Sequence, residues 1–284
     1  FFVRNFIEQE KLAEAEALLQ ILAADKFFPE RLKTTWNEYT AYLLYKEKQF
    51  DSAAFYLSKA LPNANTKLET ARWEYLIAQM YSLSNQDSLS VVWYEKAISH
   101  TTDPLMDVYA RLNIVALSSD KKVNAVNFHL SQLLAMAKKE KYQGFRDLIY
   151  YAAAELEIRQ NHLKNAENWL YKSINYSEGN NIQKSKSYFL LAETLYKNKK
   201  YIPASAAYDS LSISLLNATE ASTVNQKKSP LKRIALSLQS VNREDSLQRI
   251  ALLPEPEREA LLKALLKKLR KEKGLKDTDS ETSF

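Results

Sequence analysis

Small residues recur among large apolar ones in a pattern that returns about every 38 residues along most of the chain. In "KQFDSAAFYLSKAL" (48–61) these residues are spaced by 3, 4 and 3 positions, which is the period of one face of an α-helix; they are Phe50, Ala53, Leu57 and Ala60. Related patterns occur in five other segments: 10–23, 85–98, 120–133, 161–174 and 199–212. The pattern predicts six helices, each with one apolar face.

A second small or medium-sized residue lies twelve positions before the central small residue of each segment. These residues are Val3, Ala41, Ala78, Asn113, Ala154 and Ala192, at successive spacings of 38, 37, 35, 41 and 38 positions. Two small positions in each unit let two antiparallel helices approach closely, while leucine and aromatic side chains fill the space between units. The spacing therefore predicts helical hairpins that stack one on the next.

This organisation resembles that of tetratricopeptide repeats, whose consensus period is 34 residues. The units here are longer, and Ala or Asn stands where the family consensus has Gly. The resemblance covers residues 1–216 and implies an all-α superhelix of about six helical hairpins. An irregular helical bundle is the alternative interpretation.

The segment after the predicted array divides into three parts. Residues 217–229 ("NATEASTVNQKKS") form the longest stretch without a helical pattern and are expected to be a linker. Residues 230–274 predict short capping or docking helices, in which Pro254 ends one helix and begins the next. The acidic residues 275–284 are expected to be a disordered tail.

Two further signals place helix boundaries in residues 230–274. Ser229 and Pro230 are a favourable N-cap and first-turn pair, and Asn242 is expected to cap a second helix. Gly274 is placed to end the last helix.

The first helix of each unit lines the concave face of a tetratricopeptide superhelix. The resemblance therefore predicts a partner-binding groove rich in aromatic side chains, lined by Glu38, Tyr42, Tyr45, Arg72, Tyr75, Gln79, Tyr151, Glu155, Arg159, Lys186, Phe189, Glu193 and Tyr196. Aromatic and Arg side chains supply a large contact area at low entropic cost, which suits an extended peptide or a partner helix. The alternative is that several of these tyrosines pack between adjacent units.

Some members of this family hold a C-terminal carboxylate with a Lys/Asn pattern in the groove. The corresponding positions here hold Tyr42, Gln79, Ile114, Glu155 and Glu193. The sequence therefore does not predict a chaperone adaptor.

Composition argues against catalytic chemistry. The chain has 3 Gly, none grouped into a phosphate-binding loop, and no Cys. Its 3 His are not spaced as metal ligands on one helical face. We therefore predict no catalytic residues, no metal and no cofactor.

No apolar run approaches the ~20 residues that span a bilayer, so we predict no direct membrane insertion. The chain begins at Phe1 without an initiator Met, and we interpret it as a fragment or a mature segment.

Positive charge is concentrated near the C-terminus. Residues 225–276 contain 14 Lys/Arg and 6 Asp/Glu, a net charge of +8, whereas residues 1–224 have 26 and 25, a net charge of +1. This charge is modest, and residues 225–276 contain no aromatic side chain to stack on bases. A basic amphipathic helix of this kind can lie on an anionic membrane or contact phosphates, and these are the minor alternatives. We predict neither nucleic-acid binding nor membrane binding here.

The last predicted helix has glutamates near its start, lysines near its end and one leucine stripe between them. We call this stripe the C-terminal docking stripe; it consists of Leu261, Leu262, Leu265, Leu266 and Leu269. An apolar stripe needs a protein surface to cover it. It is expected to cap the array, to fold into the groove or to dock on another protein.

The C-terminal segment also resembles the PorW/SprE family, the tetratricopeptide lipoproteins of the Bacteroidota type IX secretion and gliding machinery. The matching pieces are "DSLQRIA" (245–251), "LPE" (253–255) and "ER" (257–258), with Pro256 as a departure. The resemblance implies a periplasmic protein, anchored to the outer membrane by a lipid, that links secretion ring components to the outer-membrane translocon. The lipid-bearing Cys of such proteins has no counterpart here, so an anchor is expected upstream.

The alternative function is that of a generic tetratricopeptide assembly factor, or a sensor or regulatory domain that binds a peptide or protein partner in the groove.

Overall fold

The computed structural model describes residues 1–118 and 123–272, and this part of the chain contains helices but no strands. The helices are α1 (Phe2–Glu8), α2 (Leu12–Ala24), α3 (Lys33–Lys46), α4 (Phe50–Ala60), α5 (Lys67–Leu83), α6 (Asp87–His100), α7 (Pro104–Ser118), α8 (Val123–Ala137), α9 (Arg146–Arg159), α10 (Leu163–Tyr176), α11 (Asn181–Lys197), α12 (Tyr201–Ser210), α13 (Ala218–Ala251) and α14 (Glu255–Glu272). The first twelve pair in order into six hairpins, which confirms the predicted all-α superhelix.

Small residues at predicted positions are buried between paired helices in the described part of the chain. Ala78 of α5 and Ser90 of α6 are fully buried, and the Ser90 hydroxyl donates a hydrogen bond to the Ala78 carbonyl at 2.7 Å. Ala154 and Ala166 are also fully buried, in α9 and α10. A larger side chain at these positions would push the two helices apart.

Where the structure describes them, the turns inside the hairpins share one backbone conformation, although none of them contains Gly. The second residue after the first helix has a positive φ in each of the five hairpins whose turns the structure describes: Glu10, Lys48, Asn85, Asn161 and Lys199, at 57° to 62°. In the second hairpin, the Lys48 amide donates to the Tyr45 carbonyl and the Gln49 amide to the Leu44 carbonyl, at 3.0 and 2.9 Å. This is a Schellman motif, which satisfies carbonyls at the end of the first helix.

Residues 218–229 are helical, which corrects the prediction of a linker without structure. Asn217 caps α13: its side chain accepts from the Glu220 amide, and the Glu220 carboxylate accepts from the Asn217 amide. The helix then continues without interruption past Pro230 and Asn242, so neither begins a new helix. Pro230 has no backbone N–H, so one carbonyl in the preceding turn of α13 lacks its helical hydrogen bond. Because Pro230 lies on an exposed face, water can reach that carbonyl.

The predicted break at Pro254 is confirmed, since α13 ends at Ala251 and α14 begins at Glu255. Gly274 and the predicted tail 275–284 lie outside the described residues. The division into an array and an appended segment remains a prediction.

The two parts of α13 differ in packing. Val224, Leu231 and Ala235 are buried, and the first two join the apolar cluster formed by α9 to α12. Since α13 begins 37 residues after α11 (218 − 181), its first part takes the place of the first helix of a seventh unit. In the described residues after Ala235, no side chain is buried.

Candidate functional site

A groove of about 680 Å³ lies at the N-terminal end of the superhelix, between the first helices of the second, third and fourth hairpins. We call it the N-terminal groove; its lining residues are Glu38, Ala41, Tyr42, Tyr45, Leu57, Trp73, Leu76, Gln79, Met80, Ser82, Leu83, Tyr94 and Asn113. Four of the predicted groove residues are therefore brought together here: Glu38, Tyr42, Tyr45 and Gln79.

Tyrosines and an amide join neighbouring hairpins beside this groove. Asn113 of α7 donates a hydrogen bond to the Tyr75 hydroxyl at 3.1 Å, and the Tyr75 ring packs edge-on against Tyr94 at 5.2 Å between centroids. Burial raises the pKa of both tyrosines. Tyr75, predicted to bind a partner, thus makes contacts between units.

The polar groups at the other side of the groove also have partners within the chain. The Tyr42 hydroxyl donates to the Glu8 carboxylate at 3.2 Å, and Glu38 accepts from the Asn63 side-chain amide at 2.9 Å. Arg72 is exposed but does not line the groove.

What remains accessible at the rim is mainly apolar. Tyr45 and Leu76 are each 48% exposed and Leu83 is 59% exposed. Trp73 and Met80 continue this surface inward, since they are less exposed and also line the groove. Such a surface can bury the apolar side chains of a partner segment, with aromatic rings providing most of the contact area.

Sequence reasoning missed the apolar half of this groove. Trp73, Leu76, Met80 and Leu83 are spaced by 3, 4 and 3 positions along α5. That spacing is a second helical stripe beside the predicted one, and it could have been found. It was missed because the prediction followed the polar and aromatic positions Arg72, Tyr75 and Gln79.

The predicted residues from the last two hairpins do not join the N-terminal groove. They are Tyr151, Glu155, Arg159, Lys186, Phe189, Glu193 and Tyr196. Three of them interact with α13: Glu193 pairs with Lys227 at 2.6 Å, Lys227 lies over the Tyr196 ring at 5.1 Å, and Phe189 packs against the cluster that contains Val224.

Glu155 and Tyr151 form a separate polar pair on α9. The Tyr151 hydroxyl is hydrogen-bonded to the Glu155 carboxylate, and burial raises the pKa of both groups. The positive charges of Arg159 and Lys186 lower the pKa of Glu155, but their effect is smaller than the increase that burial causes.

The C-terminal docking stripe on α14 is exposed along its whole length. Its five leucines are between 37% and 50% exposed, and no residue of α14 between Glu255 and Glu272 is buried. The stripe therefore neither caps the array nor enters the groove in this structure. The first part of α13 covers the end of the array instead.

Two of the histidines inside the array each lie beside a buried carboxylate. His100 lies 2.8 Å from Glu74, and His162 lies 2.9 Å from Glu157. Within the described residues, no three side chains of the metal-binding types lie together. Over the same residues, no helix combines the length and apolar content needed to cross a bilayer.

No model of a known protein family and no curated protein matches this chain. Among solved structures, the apo form of RapI matches 69% of this chain and 57% of its own length, at 14% identity and a TM-score of 0.57. A Rap protein complexed with competence and sporulation factor matches 93% of this chain and 80% of its own length, at 18% identity and a TM-score of 0.49. The TPR2AB domain of yeast Sti1 in complex with pHSP90 matches 82% and 94%, at 14% identity and a TM-score of 0.28.

These sequence identities are too low to assign a function to this protein. The likeness to RapI agrees with the hairpin geometry, and the protein is an all-α superhelix of the tetratricopeptide type. The match spans little more than half of the RapI chain.

Proposed function

We propose that this protein is a non-catalytic scaffold that binds a protein partner in the N-terminal groove. The observation that supports this is the apolar rim of Tyr45, Leu76 and Leu83, which is exposed at the mouth of a groove of about 680 Å³. Exposed apolar surface of this kind is costly in water unless a partner covers it.

The partner segment is expected to present apolar side chains along one helical face or along an extended strand. A carboxylate clamp is not part of the proposal, because the groove lining contains Glu38 and no Lys or Arg. Binding should therefore depend weakly on salt, since screening affects charged contacts far more than apolar ones.

We further propose that the partner belongs to the type IX secretion apparatus, with the protein linking periplasmic ring components to the outer-membrane translocon. This rests on the resemblance of residues 243–268 to the PorW/SprE family. On this proposal the protein lies in the periplasm and is held at the outer membrane by a lipid on a preceding segment.

Affinity isolation from the native cell envelope, followed by partner identification, tests both the groove as the binding site and the role in secretion. The matched pair is Leu76→Ala in the groove and Leu89→Ala on α6, where the leucine is 42% exposed and does not line the groove. We expect the wild type and L89A to recover a ring or translocon component and L76A to lose most of it.

Equal recovery by all three proteins would overturn the groove as the binding site. Recovery of a regulatory protein through the groove, with no ring or translocon component, would overturn the secretion role and favour the sensor alternative.

A further inference from the structure

The docking stripe of α14 is an apolar surface of five leucines that the described part of the array leaves uncovered. Its leucines lie along an 18-residue helix in which no residue is buried. Helices of this length without tertiary contacts are marginal in water, and most of their stability in proteins comes from packing an apolar face. Since the first part of α13 already covers the end of the array, the stripe needs a different surface.

Two charged residues extend the stripe symmetrically. Arg258 lies seven positions before Leu265 and Glu272 lies seven positions after it. Seven residues are close to two helical turns, so both side chains leave α14 in nearly the direction of Leu265. The stripe thus reads, from its start, positive charge, leucines and negative charge.

This order is self-complementary when a second copy runs in the opposite direction. With a two-fold axis at Leu265, each Arg258 faces Glu272 of the other copy, and Leu261 faces Leu269. Outside the stripe, the first turn holds Glu255 and Glu257 while the last turn holds Arg270 and Lys271. Antiparallel pairing therefore also brings the acidic end of one helix to the basic end of the other.

We propose that α14 is a self-association element that pairs with α14 of a second copy, antiparallel and centred on Leu265. A two-fold contact of this kind uses the same patch on both copies and closes at a dimer. The charge order favours a second copy over an anionic membrane, because Glu272 lies at the end of the stripe and the first turn holds Glu255 and Glu257.

Charge reversal in the full 284-residue chain tests the pairing. Sedimentation velocity over a concentration series should show a dimer for the wild type. Arg258→Glu and Glu272→Arg should each weaken the dimer about tenfold or more, because each places like charges together at two symmetric positions. The double variant should regain most of the wild-type affinity.

A wild type that stays monomeric, or a double variant no better than the single ones, would overturn the proposal. Far-ultraviolet circular dichroism of each variant checks that α14 remains helical.

A second test uses the absence of Cys in the chain. Leu265→Cys provides a single thiol at the proposed axis, and Lys263→Cys provides one on the opposite face of the same helix. Under mild oxidation, L265C should form a disulfide-linked dimer much faster than K263C. Equal rates for the two variants would overturn the antiparallel register.

Discussion

Lys227 of α13 donates a hydrogen bond to the carboxylate of Glu193 of α11, with 2.6 Å between Nζ and Oε2. The same ammonium group lies over the Tyr196 ring, and the Tyr208 hydroxyl donates to the same carboxylate. The contact joins residues 34 positions apart, which is a little less than one repeat of this superhelix. It places the first part of α13 against the last hairpin and gives Glu193 a charged partner within the chain.

Truncating Leu231 should destabilise the C-terminal end of the array. This side chain is 2% exposed, in the cluster shared by α11, α12 and α13. We expect Leu231→Ala to lower the free energy of unfolding by about 2–4 kcal/mol, through lost burial and the cavity left behind. Urea denaturation measures this, and hydrogen exchange should show faster opening of residues 218–235.

Leu238→Ala is the matched control, because Leu238 lies two turns further along α13 and is 36% exposed. It should cost less than about 1 kcal/mol. Equal effects of the two variants would contradict the boundary of packing at Ala235.

Removing the cap of α13 should weaken the segment predicted as a linker. Asn217 and Glu220 form a capping box, so Asn217→Ala should cost about 1 kcal/mol. Asn225→Ala is the control, since Asn225 is exposed inside the same helix and Ala is the better helix former. Protection of the amides of residues 219–222 should fall only in N217A; unchanged protection would mean that the helix begins later.

Glycine in the hairpin turns should stabilise the protein. Lys199 has φ of 57°, a conformation that costs a residue with a Cβ about 1–2 kcal/mol and Gly very little. After allowing for the greater freedom of Gly in the unfolded chain, we expect Lys199→Gly to gain about 0.5–1 kcal/mol. Thermal unfolding measures the gain.

The control for this turn is Lys197→Gly, two positions earlier and still helical, which should lose about 0.5–1 kcal/mol. Asn85→Gly in the third hairpin should gain less than K199G, because Asn tolerates positive φ better than Lys. A loss of stability in K199G would contradict the turn geometry.

The half-buried carboxyl of Glu155 should make stability depend on pH. Burial raises its pKa above the ordinary value of 4.5, so between these two pKa values the folded protein binds more protons than the unfolded chain. This group therefore lowers the free energy of unfolding as pH rises through that window. Glu155→Gln should remove this contribution and be more stable than the wild type at pH 7, with little difference below about pH 4.

Urea denaturation at a series of pH values measures the difference. Glu178→Gln is the control at an exposed site and should stay within about 0.5 kcal/mol of the wild type throughout. A loss of stability in E155Q at pH 7 would mean that the ionised carboxylate has a favourable net interaction with Arg159 and Lys186.

The hairpins could be predicted from the sequence because their main constraint is local. A buried Ala or Ser is needed wherever two helices touch, as at Ala78 and Ser90, and this requirement leaves a regular spacing in the chain. The break at Pro254 was predictable for a similar reason, since the ring acts on its own backbone and on the residue before it. The turns were less visible, because Lys and Glu at positive φ carry no signal comparable to Gly.

The repeat, its all-α class and the leucine stripe of α14 were thus determined by the sequence itself. Only the tertiary structure decided which part of the predicted groove stays open. Residues 218–229 contain too few apolar positions to be recognised as a helix, and they become one because Val224 and Leu231 pack against the last hairpin. Helix propensity is weak compared with the burial that long-range packing supplies, so the first part of α13 depends on its contacts with the last hairpin.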